Sequence, residues 1–258
     1  MTTLFILKLT VTPLLVAVMS LIARRWGATV GGLIMGLPWM TGPVLFFLTY
    51  EKGLDWCAQA SLGAVVAAIA IAGFLLGYAA IGRQTNPIVG WIGGFLGFAT
   101  AGSAALQVPW TLELAIVAGT LVLLATWRLL PRPRTDEMPR PLPWWDILMR
   151  MVVSGLMVLL LSAIAEIAGP TTSGLIASFP VILTSVGLFI HYRWGFDALL
   201  RLFRGLSLSL IAFVVFFGIV AATVVDHGVE VAYALAVVGG VATSAVLIGL
   251  NRRFSRRA

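Results

Sequence analysis

Two prolines, Pro38 and Pro180, lie inside long apolar segments, where a proline has a defined chemical consequence. A proline within a helix donates no backbone hydrogen bond and clashes with the carbonyl group four residues before it. The carbonyl groups of Ile34 and Ile176 are therefore expected to lose their helical partners. In hydrocarbon such a group is tolerated only where protein, water or a ligand satisfies it. Each proline falls near the middle of its segment, so the sequence predicts two helix breaks near the bilayer midplane that can bind an ion or a polar solute.

Hydroxyl side chains accompany both prolines. Thr29 and Thr41 flank the first, while Thr172, Ser178 and Thr184 flank the second. Together with the freed carbonyl groups, they predict a polar binding site. A simpler interpretation stays open, because threonine and serine in membrane helices also bond to their own helix, and the neighbouring small residues also serve close helix packing.

Two cations have equivalent positions near the start of an apolar segment. Lys8 and Arg150 are 142 residues apart, each one to two turns into its segment. One interpretation is a cation at each mouth of a pathway, attracting an anionic solute or an anionic lipid headgroup. The other is that both side chains extend to the headgroups, as long cationic side chains near helix ends usually do.

Acidic and metal-binding candidates are few. Glu113 and Glu166 are expected to lie deepest among the carboxylates, which makes them the candidates for coupling to a proton gradient. Asp55 and Asp197 have the positions of helix N-caps, and His191 is expected at the membrane interface. With two histidines, one cysteine and no metal-ligand spacing, the sequence predicts no metal, no cofactor and no intramolecular disulfide.

The elements that position these residues form an internal repeat. Residues 27–55 align without a gap with residues 169–197, and eleven of the 29 positions are identical, including both prolines. Pro38 and Pro180, like Lys8 and Arg150, are equivalent in this alignment. An internal repeat of membrane segments is a common plan among secondary transporters.

Composition places the chain in a membrane. It is 60% hydrophobic and 10% charged, with a mean hydropathy of +1.03, so lipid must be its main solvent. Apolar segments of about the roughly 20 residues that a membrane helix needs occur nine times. They are residues 4–23, 28–50, 57–82, 86–107, 110–130, 145–168, 170–192, 198–225 and 229–250.

The cations decide the topology. With nine spans, all fifteen arginines fall on one side of the membrane and both lysines on the other. The positive-inside rule then puts the N-terminus outside and the C-terminus in the cytoplasm. It also attributes the net charge of +7 to cytoplasmic loops, so no nucleic-acid partner is expected.

This topology inverts the two copies. We expect an all-α membrane protein with two four-helix repeats of opposite orientation, residues 1–108 and 144–258. Residues 109–143 would supply the linker helix and a cytoplasmic loop that turns the second repeat over.

The segment Gly-Leu-Ile-Ala-Ser-Phe-Pro180, followed by Tyr192, resembles the GlpM-like group of small bacterial membrane proteins. Members of that group are about half this length, so the chain looks like two such modules fused in opposite orientations. Residues 24–32 are also similar to bacterial proteins carrying Arg-Arg-Trp-Gly-x-x-Val-Gly-Gly. The resemblance implies a location in the bacterial inner membrane and carries no functional residues.

The pattern favours a secondary transporter for a small anionic solute or an anionic lipid, with a homodimer compatible with it. No nucleotide-binding motif is present, which favours coupling to an ion gradient or exchange. Two alternatives stay open: a non-transporting accessory subunit of a membrane complex, and a membrane-embedded lipid-modifying enzyme. We expect no enzymatic activity.

Overall fold

The computed structural model describes residues 41–134 and 178–255 continuously. It also describes Leu14, Ala17, Val18, Leu21, Arg25, Pro38, residues 147–149, 151–153 and 155–156, Thr172 and residues 175–176. The expected spans 4–23 and 145–168 therefore lie largely outside the described residues. Within that part of the chain every regular element is a helix.

Five helical elements follow one another in the described chain. They are α1 (Thr41–Lys52), α2 (Leu54–Gly82), α3 (Pro87–Ala105), α4 (Leu112–Leu129) and α5 (Val181–Ser255). The start of α3 combines two sequence signals, because the Asn86 side chain accepts a hydrogen bond from the Val89 amide and Pro87 occupies the first turn. Thr111 caps α4 in the same way through the Leu114 amide.

Element α5 is three segments rather than one helix. Its 75 residues would extend about 110 Å at roughly 1.5 Å per residue, several times the thickness of a bilayer. Gly195 and Gly228 interrupt it with φ angles of 83° and 78°, a region that favours glycine. We call the segments α5a (residues 181–194), α5b (196–227) and α5c (229–255).

Four elements are long and apolar enough to cross a membrane: α2, α3, α4 and the Leu183–Leu247 part of α5. They differ in how much of their apolar surface meets protein. In the most apolar part of α2, 67% of the residues are buried, against 22% in α4. Leu114, Val117 and Leu121 on α4 are accordingly exposed on the surface of the bundle, where lipid can cover them. Thus α2 is central and α4 is peripheral.

The packing of α2 against α3 depends on glycine. Gly73 and Gly77 on α2 face Gly97 and Gly93 on α3 so closely that a Cβ atom at any of these positions would overlap atoms of the opposite helix. Without a hydrophobic force between helices in lipid, this close backbone contact is a main source of attraction. The two helices therefore form one tightly packed unit.

The described helices agree with the expected spans for most of the chain. Elements α2, α3, α4, α5b and α5c correspond to the apolar segments 57–82, 86–107, 110–130, 198–225 and 229–250. The expectation for the two aspartates was wrong for Asp55, since Gly53 is the N-cap of α2 and Asp55 lies in its first turn. Asp197 likewise follows Gly195 within the first turn of α5b. At both places the chain combines a positive φ with ψ angles of 170° and 174°, a region that essentially only glycine adopts.

Candidate functional site

Both prolines lie just before a helix, and Pro180 also follows the helical residues 175–176. Pro38 is not helical, and α1 begins three residues after it. Pro180 is also not helical, and α5a begins at the next residue. Each proline carbonyl accepts the first bond of the helix that follows, from the Gly42 amide at 3.0 Å and from the Thr184 amide at 2.9 Å. A helix of 12 residues such as α1 is about 18 Å long, so it covers little more than half of a 30 Å hydrocarbon layer.

The carbonyl group expected to be free before the second proline has a partner. The Phe179 amide donates to the Ile176 carbonyl at 3.0 Å, and the Ser178 amide donates to the Leu175 carbonyl at 3.2 Å. A tight turn therefore replaces the helical bond that Pro180 removes. This corrects the expectation for Ile176, whose carbonyl oxygen is already bonded within the chain. Ile34 lies outside the described residues.

The hydroxyl groups near the second proline bond to their own helix. Thr184 donates to the Val181 carbonyl at 2.8 Å, and Ser185 donates to the same carbonyl at 3.2 Å. This is the simpler of the two interpretations left open by the sequence. Thr41 and Ser178 are buried and Thr172 is half-buried, so the described hydroxyls beside the prolines are largely covered by protein in this conformation.

An aromatic cluster covers the break at Pro180. The Phe179 ring lies 4.8 Å from the Phe98 ring and 5.1 Å from the Phe95 ring, between centroids, with the second pair stacked. The Phe74 ring of α2 meets Phe179 edge-on at 6.3 Å. Such pairs contribute about 0.5–1.5 kcal/mol each beyond simple burial. The turn before Pro180 is thus packed against α2 and α3.

The break at Pro38 is packed in a reciprocal way. Gly42 lies one turn after Pro38, and a Cβ atom there would be 3.7 Å from Cζ of Phe216 on α5b. Phe216 follows Phe74 by 142 residues, the same spacing that separates the two prolines. Phe216 thus lies beside the start of α1, and Phe74 lies beside Phe179, the residue before Pro180.

The two half-length helices end at opposite ends of the bundle. Tyr50, near the end of α1, donates a hydrogen bond of 2.6 Å to Glu230 at the start of α5c. His191, near the end of α5a, lies 3.1 Å from the Tyr78 hydroxyl, which also donates to the Pro87 carbonyl. The first contact joins the end of α1 to the start of α5c. The second joins the end of α5a to the end of α2.

The contact between His191 and Tyr78 was not predicted from the sequence. The sequence placed His191 at the interface, yet the side chain is 8% exposed and its Nδ1 meets a tyrosine 113 residues away. No local pattern signals such a contact. The imidazole can accept or donate there, depending on its tautomer.

The role of Arg204 was not predicted either, because its partners lie on another helix. Its guanidinium Nη1 donates to the Trp127 carbonyl at 2.9 Å and to the Leu130 carbonyl at 2.8 Å, and the group lies over the Trp127 ring at 4.9 Å. The last carbonyl groups of a helix lack internal partners. Arg204 of α5b therefore closes the end of α4 and fixes the chain that leaves it.

The remaining expected site residues divide into two groups. Lys8, Thr29, Arg150 and Glu166 lie outside the described residues. Glu113 is exposed in the first turn of α4, and its depth in the membrane stays a prediction. A carboxylate there is favoured by the helix dipole. Among the described residues, no group of three or more histidine, cysteine, aspartate or glutamate side chains could hold a metal ion.

Comparison with protein-family models, with curated proteins and with solved structures found no match.

Proposed function

We propose that the protein is a secondary transporter of the bacterial inner membrane, built from two inverted repeats of four helices joined by a linker helix. One observation carries the proposal: two half-length helices, each starting at a proline break and 142 residues apart, end at opposite ends of the bundle. Paired broken helices of this kind surround the midplane binding site of many transporters.

Matching local geometry supports the repeat. Gly53 after α1 and Gly195 after α5a have φ and ψ angles of 92° and 170° and of 83° and 174°, respectively. Gly97 contacts Gly77 in the first copy, and at the equivalent positions Gly239 contacts Ile219 in the second. The glycine backbone angles fall within the aligned segments 27–55 and 169–197, and the two helix contacts lie beyond them, so both support the proposed repeat.

The reciprocal phenylalanine contacts suggest how access alternates. Phe74 covers the break of the second copy, and Phe216 contacts the break of the first. Rocking one repeat against the other would loosen one contact while tightening its counterpart. The substrate would bind between α1 and α5a, near Pro38 and Pro180, during that exchange.

We infer a small anionic solute or an anionic lipid as substrate, from Lys8 and Arg150. The arginine-rich end of the bundle would face the cytoplasm by the positive-inside rule. Described arginines of this end include Arg83 and Arg193, each at the end of a helix.

Proline variants test the role of the breaks. In proteoliposomes, charge movement is recorded on a solid-supported membrane while a panel of carboxylates, phosphate esters and inorganic anions is applied. We expect a current with one class of anion, reduced at least tenfold by Pro38→Ala or Pro180→Ala. Pro87→Ala is the matched control, because a first-turn proline leaves no helical bond unmade.

A second experiment needs no substrate. Spin-label pairs are placed at exposed positions at the two ends, Lys52 with His227 and Gln84 with Tyr192, in a variant lacking Cys57. Alternating access predicts two distances for each pair, and conditions that lengthen one pair shorten the other. A single unchanging distance at both ends, with no current for any anion, would instead support the accessory subunit.

A further inference from the structure

An arginine-lined cavity opens at the end of the bundle that contains the loops after α2 and α4. Its volume is about 390 Å³, within the roughly 300–1,000 Å³ of small-molecule sites. The lining residues are Arg83, Pro131, Arg132, Arg134, Phe196, Asp197 and Leu200. Three separate parts of the chain thus contribute: the end of α2, the chain after α4, and the start of α5b.

The charge of the cavity is unbalanced. Three guanidinium groups face one carboxylate, which leaves a formal charge of +2. In the part of the chain that the structure describes, Arg83, Arg132 and Arg134 form no ion pair with a carboxylate. Asp197 accepts a hydrogen bond from the Arg134 amide at 3.1 Å, so it holds the arginine-bearing chain in place. This bond uses the backbone of Arg134 and not its guanidinium group.

Hydrogen bonds and packing with residues inside the bundle hold the cavity in shape. Arg204 binds the Leu130 carbonyl directly before the segment that carries Arg132 and Arg134. Leu200 is buried and Phe196 is half-buried, so they give the cavity an apolar wall on the α5b side. A positively charged rim beside an apolar wall fits a ligand with a phosphate group and an apolar or uncharged body.

We propose that this cavity binds a phosphate group, through bidentate hydrogen bonds from Arg83, Arg132 and Arg134. Arginine presents a planar array of donors that matches phosphate oxygens. Basic pockets between helices on the cytoplasmic side of a membrane bind anionic lipid headgroups by the same chemistry. The proposal is independent of transport, since the cavity lies at one end of the bundle and excludes both prolines.

Binding is measured with the full-length protein in a neutral detergent. Native mass spectrometry counts bound phosphatidylglycerol, cardiolipin and phosphatidylcholine, and thermal unfolding is followed in increasing inorganic phosphate against chloride of equal ionic strength. Each basic side chain near an anionic group contributes about a fivefold preference, so the Arg83→Gln, Arg132→Gln and Arg134→Gln triple variant should bind on the order of 100-fold more weakly.

Two further variants sharpen the result. Arg128→Gln removes the same charge from an exposed position at the end of α4 that does not line the cavity, and should change affinity by less than about twofold. Asp197→Asn keeps an oxygen for the Arg134 amide but removes the negative charge, and should tighten binding about fivefold.

The outcomes separate the sources of phosphate. Arginine-dependent retention of anionic lipid, without an effect of inorganic phosphate, identifies a headgroup site. Arginine-dependent stabilisation by inorganic phosphate, without lipid retention, identifies a site for a soluble phosphate compound. The proposal is overturned if neither ligand binds, if the triple variant binds as tightly as the unaltered protein, or if Arg128→Gln weakens binding as much as the triple variant does.

Discussion

Substituting Gly97 with alanine should separate α2 from α3. A Cβ atom at Gly97 would overlap the carbonyl group of Gly73, and backbone atoms cannot rotate away as a flexible side chain can. Overpacking of this kind costs about 1–3 kcal/mol. Alanine also favours the helix over glycine by about 1 kcal/mol, which partly offsets that cost.

A second glycine variant controls for the helix preference of alanine. Gly249 lies in α5c, and a Cβ atom there would meet nothing within 4 Å. Gly249→Ala therefore gains the helix preference without the collision. The difference between the two variants isolates the contact between α2 and α3, about 1–3 kcal/mol, or about 2–12 °C in Tm for a chain of this size.

Thermal unfolding of the purified protein in lipid nanodiscs, followed by fluorescence of its nine tryptophans, measures that difference. Gly119→Ala adds a control within a packed interface, because its Cβ atom would make ordinary contacts at 3.6 Å. The reasoning is refuted if Gly97→Ala and Gly249→Ala have the same Tm within 1 °C. It is also refuted if Gly119→Ala lowers the Tm as far as Gly97→Ala does.

Three further experiments each test one set of side-chain contacts. Arg204→Gln should lower the free energy of unfolding by about 2–4 kcal/mol, because two carbonyl groups at the end of α4 lose a charged donor; chemical denaturation measures it, and no change would remove Arg204 from that role. In a double-mutant cycle, Tyr78→Phe and His191→Phe should show a coupling of about 0.5–1.5 kcal/mol, whereas additive effects would mean that the two side chains form no hydrogen bond. Cysteines replacing Tyr50 and Glu230, in a chain without its native cysteine, should be joined by a short bifunctional thiol reagent, because the two long side chains that now meet leave a gap for its spacer; failure to cross-link would contradict the placement of α1 beside α5c.

Local patterns predicted the helices well because lipid leaves the backbone few choices. Apolar length located α2, α3 and α4, and proline marked where α1 and α5a begin. The close packing of α2 with α3 also had a sequence signal, two glycines four residues apart in each helix (Gly73 and Gly77, Gly93 and Gly97), but no prediction was made from it. The sequence did not indicate which helix packs against the α2 glycines, whereas the structure shows that α3 does.

Contacts between distant residues were not predictable in the same way. The sequence offered Ile176 as a free carbonyl because it considered the helix alone, whereas a tight turn of the same chain satisfies it. It placed His191 at the membrane interface because of its position in the span but indicated no partner for it, whereas Tyr78 meets it from another helix. The arginine-lined cavity combines three chain segments, and charge counting could place its arginines on one side without bringing them together.

The reciprocal packing has a consequence for the proposed transport cycle. In the proposed repeat, helices of one copy cover the proline site of the other. Neither site can therefore open unless the helix that covers it moves. Among the described residues, Phe74 has three aromatic neighbours besides Phe179, namely Tyr78, Phe95 and Phe203. The cover of Pro180 is therefore part of a larger aromatic cluster that stabilises this conformation. Because α5a ends at the arginine-rich end and α1 at the other, an energetic difference between the two proline sites favours one orientation of the binding site over its inverse. Weakening this aromatic cover, as Phe179→Ala does, should therefore shift the two spin-label distances in opposite directions, whereas a shift at one end alone would show that the two repeats move independently.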